Sequence, residues 1–366
     1  MVDLPAPSLP DPPFGRTRHP FFMHEMIRRQ AVAARATHRA TRDALKAEPC
    51  APPKDRLLLV GIGTSFHAAL AAGFGAAAGH PGGPNVSVRT SFDLLEDPSV
   101  ATTDTTAVVF SAGGDTALTL EAQKLLRAQG ARSLLITAAP NAPSSKLADR
   151  VLATEYADET SWTHTVSFSA ALVAFGALLD HWRGQPGTET TDEDAVADAV
   201  TGALATEPAV VDAVETVASA DEFVLLGSGA AEATAREGAL KLREAAGRFS
   251  AAVGVEEFLH GVIPSIGPST AVVAIAGTDL ERRRARQGLN AAGLAGARCL
   301  MIDSSGAPAE AGTFSVPAVP RPMAPVLQVI PLQLLAYWIS VSEGRNPDVM
   351  GLDDPRIKAA RSSFGI

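Results

Sequence analysis

Short runs of apolar residues alternate along this chain with longer stretches in which apolar residues recur at helical spacing. In the first half, the short runs predict buried strands at residues 57–60, 86–89, 108–110, 133–137 and 151–154. The longer stretches predict helices over 20–46, 116–129 and 167–182, and a helix of small residues that ends near Ala78. Strands that alternate with helices of this length predict a parallel sheet with helices on both faces.

The same series of motifs occurs twice. The first copy contains L-L-L-V-G-I-G-T-S, V-V-F-S-A-G-G-D and A-R-S-L-L-I-T, which start at Leu57, Val108 and Ala131. The second contains F-V-L-L-G-S-G-A-A, V-V-A-I-A-G-T-D and A-R-C-L-M-I-D, which start at Phe223, Val272 and Ala297. Three blocks in the same order at nearly constant spacing indicate two copies of one α/β domain.

Four regions follow from this pattern. Residues 1–48 are predicted to form a proline-rich tail and an N-terminal helix, and residues 49–184 to form the first domain. A polar, breaker-rich linker separates this domain from the second, which we expect at 195–344. Residues 345–366 form a C-terminal tail.

Composition narrows the classes of function. The chain has 366 residues, 46% of them hydrophobic and 19% charged, which is typical of a globular protein. Its net charge of −9 disfavours nucleic acids and anionic membrane surfaces as partners. Cys50 and Cys299 are too few and too far apart to indicate a disulfide framework or a zinc site. No membrane span or signal peptide is recognisable, so we expect a cytoplasmic protein, and we expect neither a metal nor a cofactor.

Two glycine-rich turns are the candidate binding elements. The strand before Gly61 runs into Gly63, Thr64 and Ser65, and the strand at Val108 runs into Ser111, Gly113 and Thr116. Backbone N–H groups at a helix N-terminus, together with hydroxyl groups, form a site that suits a phosphate. Either turn alone could be an ordinary tight turn, but the pair favours a phosphorylated ligand.

The second copy differs from the first at the hydroxyl residues of the candidate phosphate-binding turns. Ser65, Ser111 and Thr116 align with Ala231, Ile275 and Leu280, so we expect the second copy to have lost the hydroxyls that hold a phosphate. It carries instead a polar helix from 232 to 247, followed by the motif E-F-L-H-G. The first copy is therefore predicted to bind the anion and the second to supply acid and base groups.

These motifs resemble the isomerase half of glucosamine-6-phosphate synthase, which is built from two sugar isomerase (SIS) domains. The resemblance rests on H-P-F-F-M-H-E-M-I, the G-x-G-T-S turn, S-x-x-G-D-T, E-G-A-L-K-L-R-E, E-F-L-H-G and the closing D-D-P-R. It implies two tandem flavodoxin-like domains, a homodimer with a shared active site and a hexose 6-phosphate ligand. It also implies that the tail over 345–366 covers that site.

The resemblance also assigns residue roles. Ser65, Ser111 and Thr116 would hold the phosphate, and Thr64 lines the same turn. Glu244 matches the general base that moves a proton between C1 and C2, and Lys241 matches a lysine beside it. His260 matches a ring-opening histidine contributed across the dimer interface. Alternatively, Glu244 and Lys241 form a plain pair on a helix surface, and His260 is a structural histidine.

The chain departs from the family pattern in four places. Met1 leads into a proline-rich tail without the cysteine at position 2 that a glutaminase needs, so we expect no glutamine-dependent amination. Ala360 stands where the family has an imine-forming lysine, with Lys358 nearby. Ala112 and Gly113 replace two polar residues of the phosphate loop. Finally, Trp162 and His164 narrow and polarise the expected sugar pocket.

The remaining apparatus predicts removal of the C2 proton from an open-chain amino-sugar 6-phosphate. The favoured outcome is isomerisation or deamination of a glucosamine-6-phosphate or N-acetylglucosamine-6-phosphate type of substrate. One alternative is a dehydratase that eliminates the C3 hydroxyl of an N-acetylhexosamine 6-phosphate. Another is a phosphosugar sensor that binds without turnover, which the presence of Glu244 disfavours.

Overall fold

The first helix that the structure describes is long, and its N-terminus is held by a distant carboxylate. The computed structural model describes residues 15–78, 83–184 and 192–363. Helix α1 (Phe22–Ala47) follows the predicted start closely and buries Met23, Met26 and Ile27. The first N–H groups of a helix have no partner within it. Here Phe22 and Met23 donate theirs to the carboxylate of Asp348, at 2.9 and 2.7 Å.

The first sheet is parallel, as predicted. Its strands are β1 (Arg56–Gly61), β2 (Asn85–Thr90), β3 (Thr105–Phe110), β4 (Arg132–Thr137) and β5 (Arg150–Ala153), in the spatial order β2-β1-β3-β4-β5. The helices of this domain are α2 (Thr64–Ala77), α3 (Ser91–Glu96), α4 (Ala117–Ala128) and α5 (Val166–Arg183). Every strand predicted from the apolar runs is present, and each begins within a few residues of its expected start.

The second half repeats this architecture. Helices α6 (Glu193–Leu204) and α7 (Glu207–Val217) lead into a second five-stranded parallel sheet of order β10-β9-β8-β6-β7. Its strands are β6 (Glu222–Gly227), β7 (Phe249–Gly254), β8 (Thr270–Ala276), β9 (Arg298–Asp303) and β10 (Thr313–Ser315). Its helices are α8 (Ala230–Ala246), the single turn α9 (Val255–Glu257), α10 (Asp279–Leu294) and α11 (Ala324–Ser342). Helix α12 (Pro355–Ser362) closes the described chain.

Strand pairing corrects part of the alignment between the two copies. Arg56 in β1 pairs with Thr105, and its counterpart Glu222 in β6 pairs with Thr270. Extending both strands places Ala276, not Ile275, at the position of Ser111. The residue before helix α10 is Thr278, so Thr278 rather than the exposed Leu280 corresponds to Thr116. The expectation that the second copy had lost every hydroxyl was therefore wrong at this one position.

The two copies share a single hydrophobic core. Alternate residues of a strand point to opposite faces of its sheet. Leu57 and Leu59 of the first sheet pack in the same cluster as Phe223 and Leu225 of the second. Leu58 and Val60 face a separate outer cluster under helix α4. Apolar contacts between the two sheets thus join the two domains.

Helix α11 lies inside this shared core. Within the described residues, one stretch, Arg321–Ser342, is long and apolar enough to cross a membrane, with a mean hydropathy of 1.5. However, 89% of its most apolar window is buried inside the protein. Val329, Ile330 and Leu334 all contribute to the shared cluster. Its apolar composition is therefore explained by packing between the two domains.

Candidate active site

The turn after β1 presents a helix N-terminus at the carboxyl edge of the first sheet. A Cβ atom on Gly61 would lie 2.5 Å from the backbone carbon of Ser65, so the turn can close only around glycine. Gly63 has a φ of 57°, a conformation that glycine adopts at little cost. Helix α2 then begins at Thr64. The turn thus presents the N-terminus of α2 and the Ser65 side chain at this edge, while the Ser65 N–H itself donates to the Ile62 carbonyl at 3.1 Å.

The second predicted turn meets the first. Ser111 is buried at the end of β3, and its backbone N–H donates to the carbonyl of Ile136 at 3.1 Å. Thr64, Ser65 and Ser111 line one narrow pocket. Thr116 precedes helix α4 without a side-chain hydrogen bond to it, and Gly113 is exposed on the same loop. The structure thus brings the two turns together, with Gly113 and Thr116 outside the residues that line the pocket.

A buried charged network connects this pocket to the second domain. The Lys241 Nζ atom lies 2.5 Å from Glu244 Oε2 and 3.3 Å from Glu237 Oε1. It also donates to Thr64 Oγ1 at 3.2 Å, although Thr64 belongs to the first domain. The Lys241 side chain is 0% exposed, which excludes the alternative of a plain surface pair with Glu244. Glu244 remains 15% exposed, so this carboxylate is the member that solvent or a ligand can reach.

Charge pairing keeps this network ionised. Burial by itself would lower the pKa of Lys241, but the nearby carboxylates Glu237 and Glu244 outweigh it and raise the pKa. Burial would likewise raise the pKa of Glu237, but Lys241 and His67 reverse this effect and lower it. Buried charges are tolerated when they are paired and hydrogen-bonded. The network therefore presents a fixed ammonium group beside a partly exposed carboxylate.

His164 lies on the connection between β5 and α5, close enough for the charges of Lys241 and Glu244 to affect its pKa. Its pKa is lowered by burial and by the positive charge of Lys241. The imidazole is accordingly neutral near pH 7 and able to accept a proton. Two hydrogen bonds hold the same connection against the segment at 347–348. The backbone N–H of Trp162 donates to the Asp348 backbone carbonyl at 3.0 Å, and Thr163 Oγ1 donates to the Pro347 carbonyl at 2.7 Å.

His260 and Lys358 are not brought to this network. His260 lies on a π-helical turn over Phe258–Val262, is 77% exposed, and has Glu256 at 3.7 Å. Lys358 and Ala360 lie on helix α12, which buries none of its residues. In the described part of the chain, the site therefore contains Glu244 and Lys241, with His164 near enough for its pKa to be lowered by the charge of Lys241, whereas His260 faces solvent.

Three residues of the site were missed from the sequence. Glu237 accepts hydrogen bonds from Thr64 Oγ1 at 3.1 Å and from His67 Nδ1 at 2.8 Å. Its signal was the spacing of Glu237, Lys241 and Glu244, which places all three on one side of a helix. His67 could have been found in the same way, because it lies three residues after Thr64 and therefore on the same side of helix α2.

The third is Glu159. Its Oε1 atom accepts the N–H groups of Thr165 and Ser167 at 2.7 and 2.9 Å, whereas Oε2 is buried and has no hydrogen-bond partner among the residues that the structure describes. Burial raises the pKa of Glu159 to about 7 in spite of those backbone donors. Nothing in the local sequence signals this environment, because burial of the carboxyl depends on residues distant in the chain.

In the second domain, the turn between β8 and α10 corresponds to the turn after β3, and a glutamate side chain, Glu281, hydrogen-bonds to its backbone. The Gly277 N–H donates to Glu281 Oε2 at 2.8 Å, and Arg321 donates to Glu281 Oε1 at 3.0 Å. The Glu281 N–H in turn donates to Thr278 Oγ1 at 3.2 Å. The Glu281 carboxylate thus occupies a backbone donor of the loop just before α10. The hydroxyl retained at Thr278 is thus used for capping.

The fold and this site define a protein of two tandem SIS domains. The family model described as "SIS domain" matches residues 52–180 and 216–342. Because these matches cover more than half of the chain, the protein belongs to the SIS domain family. The resemblance inferred from the motifs is confirmed, as is the α/β fold with two parallel sheets.

Named relatives agree with this assignment. The glutamine–fructose-6-phosphate aminotransferase (isomerizing) of Thermococcus kodakarensis is 27% identical over 347 residues, which cover 90% of this chain and 56% of that protein. The chain thus spans about half the length of the curated relatives it matches.

Solved structures share the fold. The C-terminal domain of glucosamine-fructose-6-phosphate aminotransferase from Francisella tularensis superposes with a TM-score of 0.77 at 21% identity, covering 89% of this chain and 97% of that one. Glucosamine-6-phosphate deaminase from Thermotoga maritima gives a TM-score of 0.74 at 21% identity, covering 89% and 96%. At this level of identity the similarity supports the architecture alone.

Proposed function

We propose that this protein is a phosphosugar enzyme that removes the C2 proton from an open-chain amino-sugar 6-phosphate and isomerises or deaminates it. The observation that carries the proposal is the contact of Lys241 with both Glu244 and Thr64. Through this contact, Lys241 holds the carboxylate of Glu244, the candidate base, close to Thr64 in the turn that we expect to bind the phosphate. Relatives named as isomerising aminotransferases, and a neighbour named as a glucosamine-6-phosphate deaminase, agree in the class of substrate.

In this proposal the first domain binds the phosphate. The N–H groups at the start of α2, apart from that of Ser65, and the side chains of Ser65 and Ser111 donate to its oxygens, with Gly113 and Thr116 closing the loop around it. No lysine or arginine lines the described pocket, so the anion is held by amide and hydroxyl donors. This agrees with the acidic character of the chain, since a dense cationic site is not needed.

Glu244 then acts as the general base. It takes the C2 proton, and the electron pair of the C–H bond moves toward C1, where the aldehyde oxygen becomes negative. The buried ammonium group of Lys241 holds Glu244 in place and contributes positive charge near the developing anion. His164, with its neutral imidazole, would exchange a proton with a sugar hydroxyl.

Reprotonation decides the product. If the proton returns to C1 of a glucosamine phosphate, the C2 nitrogen becomes an imine. Water hydrolyses this imine to a ketone, and ammonia leaves, so a ketose 6-phosphate is formed. If the C2 substituent is a hydroxyl, the same proton transfer interconverts an aldose and a ketose.

We also propose that the active form is a homodimer. His260 is exposed in the protomer, as a residue must be if it completes the site of a second copy. Its role would be to open the sugar ring before Glu244 acts. The tail that contains Lys358 would cover the same site once the sugar is bound.

A second candidate function is dehydration of an N-acetylhexosamine 6-phosphate. The absence of a lysine at Ala360, where the family forms an imine, favours it. An amide nitrogen does not readily become an imine, so the intermediate would expel the C3 hydroxyl instead. Glu244 would return its proton to the departing hydroxide, and water would leave.

One experiment separates these functions. The protein is incubated with glucosamine 6-phosphate, N-acetylglucosamine 6-phosphate and fructose 6-phosphate, and the products are analysed by mass spectrometry and an ammonia assay. Ammonia with a ketose phosphate supports deamination, an isomer of unchanged mass supports isomerisation, and loss of water supports dehydration. Binding without any product would contradict both enzymatic functions and leave a sensor.

Borohydride added during turnover tests the imine route. A sugar adduct on Lys358, detected by intact mass and peptide mapping, would show that this lysine replaces the one missing at Ala360. We expect no adduct.

A further inference from the structure

Helices α2 and α8 occupy the same place in the two copies and pack against each other, yet their contact is strongly asymmetric. At one end of the pair lies the polar network of Thr64, His67, Glu237, Lys241 and Glu244. Corresponding residues of the two copies are separated by the same number of positions as Arg56 and Glu222. At the other end of the helix pair, the residues that correspond to the five members of the network are, in the same order, Ala230, Ala233, Ala71, Gly75 and Ala78. The fold thus offers two equivalent places for a network, and the sequence builds only one.

His67 belongs to this network but has no role in the function proposed above. Its Nδ1 atom lies 2.8 Å from Glu237 Oε2, and its side chain is 13% exposed. Glu237 is fully buried and is held ionised by Lys241 and His67. An ionised carboxylate can only accept hydrogen bonds, so the proton of this contact is on Nδ1 of His67.

We propose that His67 is a positioning residue, whose Nδ1–H group satisfies Glu237 so that Lys241 remains shared between Glu237 and Glu244. This proposal rests on the function assigned to Glu244 above. His67 acts through Glu237 and Lys241 and does not need to touch the sugar. Its helix position supports this, because it lies one turn further along α2 than Thr64, away from the phosphate turn.

The physical reason is the cost of an unsatisfied buried charge. The two oxygens of Glu237 receive three donors, Thr64 and Lys241 on Oε1 and His67 on Oε2. Removal of the His67 donor leaves Oε2 buried without a partner, which is unfavourable for an ionised group. Lys241 is then drawn toward Glu237, and Glu244 loses the contact that fixes its orientation.

Two variants test the proposal against a purely structural role. In His67→Leu the donor is lost, and we expect kcat to fall roughly 10- to 100-fold, as for other small displacements of a catalytic group, with KM changed less than about threefold. In His67→Asn the side-chain amide places an N–H group where Nδ1–H was, and we expect kcat within about threefold of the original protein. Equal kcat values in the two variants, whether normal or reduced, would overturn the proposal.

A second measurement does not depend on turnover. Protein labelled with ¹⁵N at histidine is examined by NMR, and the His67 signal is assigned by its loss in His67→Asn. We expect a proton on Nδ1 at neutral pH and a shift of that signal in Glu237→Gln. A proton on Nε2 alone would overturn the proposal. If the protein proves inactive on every sugar phosphate while Nδ1–H is observed, the catalytic function fails and the His67–Glu237 contact stands.

Discussion

Gly63 and Gly229 adopt nearly the same backbone conformation at the same place in the two domains. Their φ and ψ angles are 57° and −129° for Gly63, and 58° and −127° for Gly229. Each glycine ends a turn after a buried strand and starts a helix. The first helix opens with Thr64 and Ser65, whereas the second opens with Ala230 and Ala231. The two domains therefore share the same backbone turn at the start of a helix, and the side chains that follow the glycine decide which domain can bind an anion.

Phosphate binding should be confined to the first domain. Ser111→Ala removes a hydroxyl donor to a charged group, which we expect to weaken phosphosugar binding by about 1.5–3 kcal/mol. The control is Thr278→Ala, which removes the hydroxyl that caps helix α10 beside Ala276, the counterpart of Ser111 in the second domain. Loss of this cap should cost about 0.5–2 kcal/mol of stability and leave affinity unchanged.

Isothermal titration with glucosamine 6-phosphate measures both affinities, and thermal unfolding measures both stabilities. Similar losses of affinity in Ser111→Ala and Thr278→Ala would contradict a single binding site.

Glu244→Gln should separate binding from chemistry. The amide cannot accept the C2 proton, so we expect turnover to fall by about 10²–10⁴, the usual contribution of a positioned base. Sugar-phosphate affinity should stay within a few fold, because the phosphate turn is unchanged. The matched control is Glu232→Gln, a half-buried ion-pair partner of Arg236 on the same helix. A normal rate in Glu244→Gln would exclude this residue as the base.

Glu159 should make stability depend on pH. Its pKa is about 7 in the folded protein against 4.5 for an unperturbed glutamate, because burial disfavours the ionised form. The stability that this group contributes is fully present below about pH 4.5 and is lost as pH rises through about 7. From the size of the shift, the loss is of the order of 3 kcal/mol.

Glu159→Gln keeps an oxygen acceptor for the N–H groups of Thr165 and Ser167 but does not ionise. Urea unfolding between pH 4.5 and 8 should therefore show a smaller decline for this variant than for the original protein. Glu155→Gln, at an exposed position of the same connection, serves as the control and should leave the decline unchanged. Identical pH profiles for Glu159→Gln and the original protein would contradict the assignment.

A shared active site predicts recovery of activity in hybrid dimers. Glu244→Gln and His260→Ala should each be inactive alone, because each lacks one of the two groups in every site. When subunits exchange, a hybrid contains one site with both groups intact, so up to half of the sites in each hybrid are restored. Activity is measured after mixing, with exchange followed by native mass spectrometry of differently tagged chains. Exchange without recovery would argue against a histidine contributed by the second subunit.

Much of the fold and part of the site could be predicted from local sequence. The apolar run at Leu57–Val60 predicts a strand, and Gly61 and Gly63 after it predict a tight turn. The structure gives the two glycines different reasons: a Cβ on Gly61 would meet the backbone of Ser65, and Gly63 has a positive φ. Glu244 and Lys241 lie at helical spacing, so their pairing follows from the helix itself. These conclusions depend only on neighbours in the chain, and such interactions leave a periodic trace in the sequence.

Other features depend on residues that meet only after folding. Asp348 holds the start of α1 more than 300 residues away in the chain, and Thr64 meets Glu237 across the two domains. The alignment of Ser111 with Ala276 became visible only from strand pairing, because a shift of one residue hardly changes an apolar pattern. Burial of Lys241, which excludes a surface pair, depends on packing of α8 against α2 and α11. The sequence by itself determined the strands and the long helices of the first domain, the glycine-rich turns and the repeat of this pattern in the second half. The tertiary structure decided which polar groups share a buried space, because local periodicity carries no information about distant partners.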